Sequence, residues 1–191
     1  MERDQRDWDY LADVKGGAAE GTDSALFLIK QARKMNNVQR CAGVSMIKHP
    51  VLSEHCFHTG IMFMMLAPQC GVAYTLKDLE FVFLHDILET VTGDLLYPAK
   101  HCGNNNDLMD EIEGNVIEKM CPLLAPYADN ALKGDALLLW RDCDMLEFLA
   151  TCIEDAKLGN TGLQKELALS TAMLSATKFD AVKKAMYGLR N

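Results

Sequence analysis

Phe83-Leu84-His85-Asp86-Ile87-Leu88-Glu89-Thr90-Val91-Thr92-Gly93-Asp94-Leu95 decides how this chain is read. An apolar run, Phe81 to Leu84, leads straight into a histidine-aspartate pair and resumes at Ile87 and Leu88, so polar groups enter a buried neighbourhood. Buried charge needs a partner or a metal. Taken as continuous helix, the stretch puts His85 and Glu89, four residues apart, on one face and turns Asp86 about a hundred degrees away. A cation over the seam meets His85 and Asp86 with Glu89 beside it. The dipeptide alone favours a plainer reading, a helix histidine satisfied by a local hydrogen bond. The apolar surroundings shift the balance to a site.

Working outward, His55 precedes the pair and Asp144 follows it. Two imidazoles and two carboxylates offer mixed nitrogen and oxygen ligands, which suit borderline transition metals better than calcium. Four protein ligands leave positions open on a five- or six-coordinate ion. Water bound there loses a proton readily and becomes a nucleophile near neutral pH, so the pattern points to hydrolysis. Asp144 shares a helical face with Trp140 and Glu147, whereas Asp142 points away and is expected to face solvent. Glu147 reads as a residue that supports a ligand or the structure.

The scaffold reads as helix after helix. Asp23 or Ser24 is a cap for a helix to about Met35 with Leu26, Ile29 and Lys30 at helical spacing, and Ser53 is the cap expected for a helix ending near Pro68. Thr75 and Asp78 form a capping-box variant opening a helix that carries His85 and Asp86 and breaks at Thr92-Gly93-Asp94. Past a polar loop, His101 to Asn106, a helix runs to about Met120. The longest helix is expected from Asp135 to Leu158, stopped by Gly159-Asn160, with two more at 164–177 and 179–188. No alternating β-branched run bounded by hairpin turns is present. The expectation is an all-α helical bundle with a metal site in its core, residues 23–191 forming one domain and residues 1–22 a flexible or docking arm bearing Trp8, Tyr10 and Leu11.

Composition sets outer limits. The 191 residues carry a formal net charge of −8. That balance excludes a polyanion-binding stripe, but a few cations can still gather a small anionic substrate in a cleft. No apolar run is long enough to span a bilayer, and the acidic start lacks the basic and apolar regions of a signal peptide, so a cytoplasmic protein is expected. Seven cysteines without a Cys-x-x-Cys pair read as free, mostly buried thiols. The methionines at 62, 64 and 65 read as core filler. His49 and His101 are expected in exposed loops, and His58 in a capping or core role.

Ser53-Glu54-His55, the stretch from Phe83 to Leu95, Pro98 and Lys100, and Asp144 with Cys152, Glu154 and Gly159-Asn160 together resemble the HD-domain 5′-deoxynucleotidases of bacteria. The resemblance runs from about residue 26 to 175. It implies an HD-domain helical fold that removes phosphate from deoxynucleoside monophosphates with one divalent transition metal ion, whether cobalt, manganese, zinc or iron. It implies His55, His85, Asp86 and Asp144 as metal ligands, Glu89 as the catalytic carboxylate, and Asp94 as a contact to the sugar that helps hold the attacking water. Arg40 stands at the phosphate-binding arginine, Lys100 is a second phosphate contact, and Cys41 stands where the family commonly has a tryptophan that helps sense the missing 2′-hydroxyl. A homodimer or larger homo-oligomer is implied. The related phage dATP triphosphohydrolases share the ligand order and release tripolyphosphate, a silent nucleotide sensor would share the cleft, and a diiron oxygenase would need ligands for which only His58 is a spare.

Overall fold

The computed structural model describes residues 22–94, 105–119, 122–125 and 132–190. Among the described residues the structure is helical, and the β pairing is a single isolated antiparallel bridge between Gln39 and Val51. The arm expected over residues 1–22 lies outside the described residues apart from Thr22, as do Lys100 and His101.

Helix α1, Thr22–Lys34, runs into a short 3₁₀ turn, Met35–Asn37. Its inward stripe is Phe27, Gln31 and then Met35, whereas Leu26 and Ile29, expected at the apolar face, are exposed. Gln31 can face inward because its Oε1 accepts the Thr90 hydroxyl at 3.2 Å. Helix α2 spans Leu52–Leu66 and starts at Val51, not at the expected cap Ser53. The bridge supplies the start: Leu52 N donates to Val38 O at 2.9 Å, and the Val51 N–H meets Glu54 Oε2 at 3.5 Å. The buried stripe of α2 is Leu52, His55, Cys56, Thr59, Gly60, Phe63 and Leu66, the three-and-four spacing of a helix with one inward face. Met64 and Met65 fall on the other side and are exposed, so they are not the core filler their composition suggested.

Helix α3, Leu76–Leu84, begins as its sequence dictates. Thr75 Oγ1 accepts from Asp78 N at 3.2 Å while the Thr75 N–H donates back to Asp78 Oδ2 at 2.7 Å, satisfying two end groups reciprocally. It approaches α2 closely at Gly60, where a Cβ would lie 2.3 Å from the Phe83 ring. The one-turn helix α4, Glu89–Thr92, follows after a break, and α5, Asn105–Lys119, lies beyond it.

Helix α6, Gly134–Lys157, is the axis of the fold, with α2, α7 (Gln164–Ser175) and α8 (Asp180–Arg190) packed on it. Leu139, Cys143, Leu146 and Leu149 of α6 are buried with Phe63, Val82, Leu174, Val182 and Met186. A second cluster joins Phe27, Met35, Leu52, Cys56, Ile87, Leu88, Val116 and Leu124. Each fully buried Leu contributes about 1.5–3 kcal/mol. The three pairs His55-Cys56, Asp86-Ile87 and Cys143-Asp144 place each polar group beside a residue of one cluster or the other, so the site lies on the seam between them. Asp142 is not solvent-facing; it is half-buried and accepts the Thr177 hydroxyl, and burial pushes its carboxyl up. Cys56, Cys143 and Cys152 are free and buried, as expected, whereas Cys41 and Cys70 are half-buried. Among the described residues no helix is long and apolar enough to cross a membrane.

Candidate metal centre

The backbone breaks where the chemistry is. His85 and Asp86 do not sit inside a continuing helix, as the sequence predicted, because α3 ends at Leu84 and residues 85–88 form turns. The carbonyl ladder tightens there: Ile87 N bonds Leu84 O at 2.8 Å, Glu89 N bonds Asp86 O at 2.9 Å and Val91 N bonds Leu88 O at 2.9 Å. Such three-residue steps overwind the chain. At about 120° per residue they bring Asp86 and Glu89, three residues apart, to one face, where Arg40 meets both carboxylates.

Four predicted ligands converge. His55 Nε2 lies 3.0 Å from Asp144 Oδ1 and 3.7 Å from Asp86 Oδ2. His85 Nε2 lies 3.4 Å from Asp86 Oδ2 and 3.8 Å from Asp144 Oδ1. The two Nε2 atoms face each other at 3.2 Å. His55, His85 and Asp86 each offer one atom with all three within 4.8 Å of one another.

The far side of each ring fixes its tautomer. His85 Nδ1 is 2.9 Å from the Val82 carbonyl, which can only accept, so Nδ1 carries the proton. His55 Nδ1 is 2.6 Å from Glu147 Oε2, and Glu147 also accepts the Thr151 hydroxyl at 3.0 Å. Burial alone would raise the Glu147 carboxyl, but His55 outweighs it and the group is held below its ordinary value, hence ionised and an acceptor. Each Nε2 therefore faces the other and two carboxylate oxygens, with a proton on His55 Nε2 when no cation is bound. That juxtaposition is stable only around positive charge, and a divalent cation fits a donor set of two nitrogens and two oxygens. Glu147 stands where it would complete a carboxylate-histidine-metal arrangement through His55, a supporting position the sequence marked by its spacing from Asp144. Trp140, one turn before Asp144, packs edge-on against His85 with ring centres 5.4 Å apart.

Charge in the site follows from these contacts. Burial and Arg40 push His55 down, but Asp144 and Glu147 outweigh them and bring it up to about 9. Burial would raise Asp86, yet His85 and Arg40 hold it well below the carboxylate range. Asp144 is lowered in the same way, chiefly by His55 against its burial. Arg40 forms an ion pair with Asp86 and lies 3.6 Å from Glu89 Oε2. Glu89 is buried in the first turn of α4, so the arginine and the carboxylate both border the ligand cluster.

Asp94 Oδ2 accepts the Cys41 N–H at 2.8 Å, which brings two more predicted residues together. Cys41 has a φ of +60°, a left-handed conformation that is uncommon for a side chain of this kind and turns the chain directly after Arg40. Gly93, with a φ of +76°, makes the matching turn before Asp94. His49 is half-buried, not exposed, with Nδ1 3.1 Å from the Arg40 carbonyl. His58 is exposed, with its ring 3.9 Å from Glu147, and takes neither the core nor the capping role considered for it. Sequence reading missed Asp155, a buried carboxylate near the end of α6.

A helical bundle with this His, His-Asp, Asp order defines a class, and the chain belongs to it: residues 33–187 match the HD domain family. The fold is that of the HD-domain metal-dependent phosphohydrolases. It is similar to the cyanophage S-2L HD phosphohydrolase DatZ, solved bound to dA and one catalytic Zn²⁺ ion, at 16% identity, covering 84% of this chain and 93% of that one with a TM-score of 0.60. It is also similar to an HD-domain phosphohydrolase of Listeria innocua (13% identity, 85% and 86% covered, TM-score 0.68). A conserved hypothetical protein of Pyrococcus furiosus aligns with a TM-score of 0.67 at 19% identity, covering 86% and 98%. No curated protein matches the sequence.

Proposed function

We propose that this protein is a nucleotide phosphohydrolase that releases phosphate from deoxynucleoside 5′-monophosphates. The observation that carries the reading is the placement of the Arg40 guanidinium against Asp86 and Glu89 at the rim of the ligand cluster, which puts an anion-binding group beside a hydrolytic carboxylate. His55, His85, Asp86 and Asp144 would hold one divalent ion, zinc, manganese, cobalt or iron. When bound, that ion neutralises phosphate charge and acidifies water.

The chain's own residues do the rest. Arg40 takes the equatorial phosphate oxygens and orients the phosphorus for in-line attack. Lys100 is a second phosphate contact in this reading. Glu89, buried beside Arg40, moves the proton, either from the attacking water or to the departing 5′-oxygen. Asp94, held by the Cys41 N–H, positions water or the sugar 3′-hydroxyl, and Cys41 borders the sugar. A dATPase-like triphosphohydrolase releasing tripolyphosphate is the second reading, favoured by likeness to a phage enzyme solved with dA.

The test is product analysis with zinc, manganese or cobalt and a panel of deoxy- and ribonucleoside mono- and triphosphates. Orthophosphate released from deoxynucleoside monophosphates supports the proposal. Tripolyphosphate from a deoxynucleoside triphosphate replaces it with the second reading, and nucleotide binding without turnover points to a sensor.

A further inference from the structure

We propose that Asp155 is a positioning residue for Arg40: it clamps the loop 41–49 to α6 and so fixes the guanidinium at the rim of the metal site. The inference rests on the reading of Arg40 as the phosphate contact.

Asp155 is 2% exposed and lies in the last turn of α6. A carboxylate is disfavoured at a helix C-terminus, where the macrodipole is negative, and again by burial. Other donors must therefore hold it there. Ile47 N donates to both carboxylate oxygens at 3.1 Å and Lys48 N donates to Oδ1 at 2.8 Å. The Asn160 side-chain amide donates to Oδ2 at 2.6 Å and also to the Ser45 carbonyl at 2.7 Å. Gly159, with a φ of +107°, turns the chain so that Asn160 comes back beneath Asp155. Burial alone would raise the Asp155 carboxyl, but these donors outweigh it and hold the group below its ordinary value.

The clamped loop is short and closed at its base, which makes the clamp matter to Arg40. Arg40 N donates to Pro50 O at 3.0 Å, His49 Nδ1 meets Arg40 O at 3.1 Å, and Val44 N donates to Cys41 O at 2.9 Å. The Arg40 backbone is thus held on one side by Pro50 and His49, and Cys41 beside it is held by Asp94. Without Asp155, the Ile47 and Lys48 amides lose their acceptor, and Asn160, which holds the Ser45 carbonyl, loses the carboxylate that places it. Arg40 then samples positions off the site. A displacement of about 1 Å in a charge-orienting group can lower rate or affinity up to roughly a hundredfold.

The experiment compares wild type, Asp155→Ala, Asp155→Asn, Asn160→Ala and Arg40→Ala, each loaded with the same metal. Inorganic phosphate serves as a competitive probe, and amide hydrogen exchange is followed at Ile47 and Lys48. The expected result is faster exchange at both amides and phosphate inhibition weakened about tenfold or more in Asp155→Ala, with KM raised, kcat lowered as well and metal affinity unchanged. Asp155→Asn, which keeps one acceptor oxygen, should recover part of the loss. Asn160→Ala, a milder change, gives the same pattern should Asp155→Ala not fold. Unchanged phosphate inhibition in the Asp155 variants, with Arg40→Ala weakened, overturns the inference alone, because the carboxylate is then only a structural staple. Unchanged inhibition in Arg40→Ala overturns the phosphate reading of Arg40 and the inference with it.

Discussion

Replacing Glu147 tests the metal centre most directly, because its carboxylate touches the metal cluster only through His55. In Glu147→Gln the amide oxygen can still accept from His55 Nδ1 while the NH₂ turns to the Thr151 hydroxyl. A charge-assisted contact of roughly 1.5–3 kcal/mol then becomes a neutral one of about 0.5–1.5. The difference of about 1 kcal/mol predicts metal binding weakened roughly fivefold. In Glu147→Ala the Nδ1–H of a ring that is 1% exposed has no acceptor. Without metal the ring can shift its tautomer to relieve this, but a bound ion requires the Nε2 lone pair and forces the proton onto Nδ1. Metal affinity should fall about 10–100-fold.

Proton competition opposes this loss at neutral pH, and the sign matters. His55 stands at about 9, so in wild type a proton competes with metal below that value. Removing Glu147 lowers the proton affinity, which weakens the competition at pH 7 and masks part of the loss. Above pH 9 the full loss should emerge. Competition titration against a chromophoric chelator at pH 7 and again above pH 9 measures both. Glu147→Ala binding metal as tightly as wild type above pH 9 would refute the reasoning.

Three further outcomes are expected. Glu89→Gln should lose turnover by a factor of about 10²–10⁴ while metal and nucleotide titrate as in wild type, and a variant that keeps its rate would remove Glu89 from the chemistry. Because the Asp155 carboxyl is lowered, its stabilising contribution is present above the ordinary carboxylate range and lost as pH falls from there through the lowered value, so the Tm gap between wild type and Asp155→Asn should be widest near pH 7 and shrink below about pH 4. Leu139→Ala, at a position 0% exposed in the core of α6, should destabilise by roughly 2–5 kcal/mol in denaturant melts, and a change under 1 would show that the core is looser than its packing indicates.

The four candidate ligands were legible because each announces itself locally: a histidine-aspartate pair in an apolar run, a histidine early in one helix, an aspartate inside another. The break after Leu84 was not legible, since residues 85–88 have no glycine or proline and only the tightened ladder shows where the α-helix stops. Ser53 was misread as a cap because the true start depends on the bridge between Gln39 and Val51, a pairing that helical periodicity does not report. Met64 and Met65 resembled core residues since every neighbour on α2 is apolar, and only the packing direction separates the faces. Asp155 was invisible for the same kind of reason, as the amides that hold it lie at Ile47 and Lys48, far away along the chain.

Asp144 and Asp155 lie on one continuous helix, three turns and about 16 Å apart, on nearly the same stripe. That helix is a ruler between the candidate metal site and the loop that follows the arginine. Adding one residue between the two marks would rotate one against the other by about 100° and lengthen the gap by about 1.5 Å, so the segment 145–154 tolerates exchange of side chains far better than any change of length.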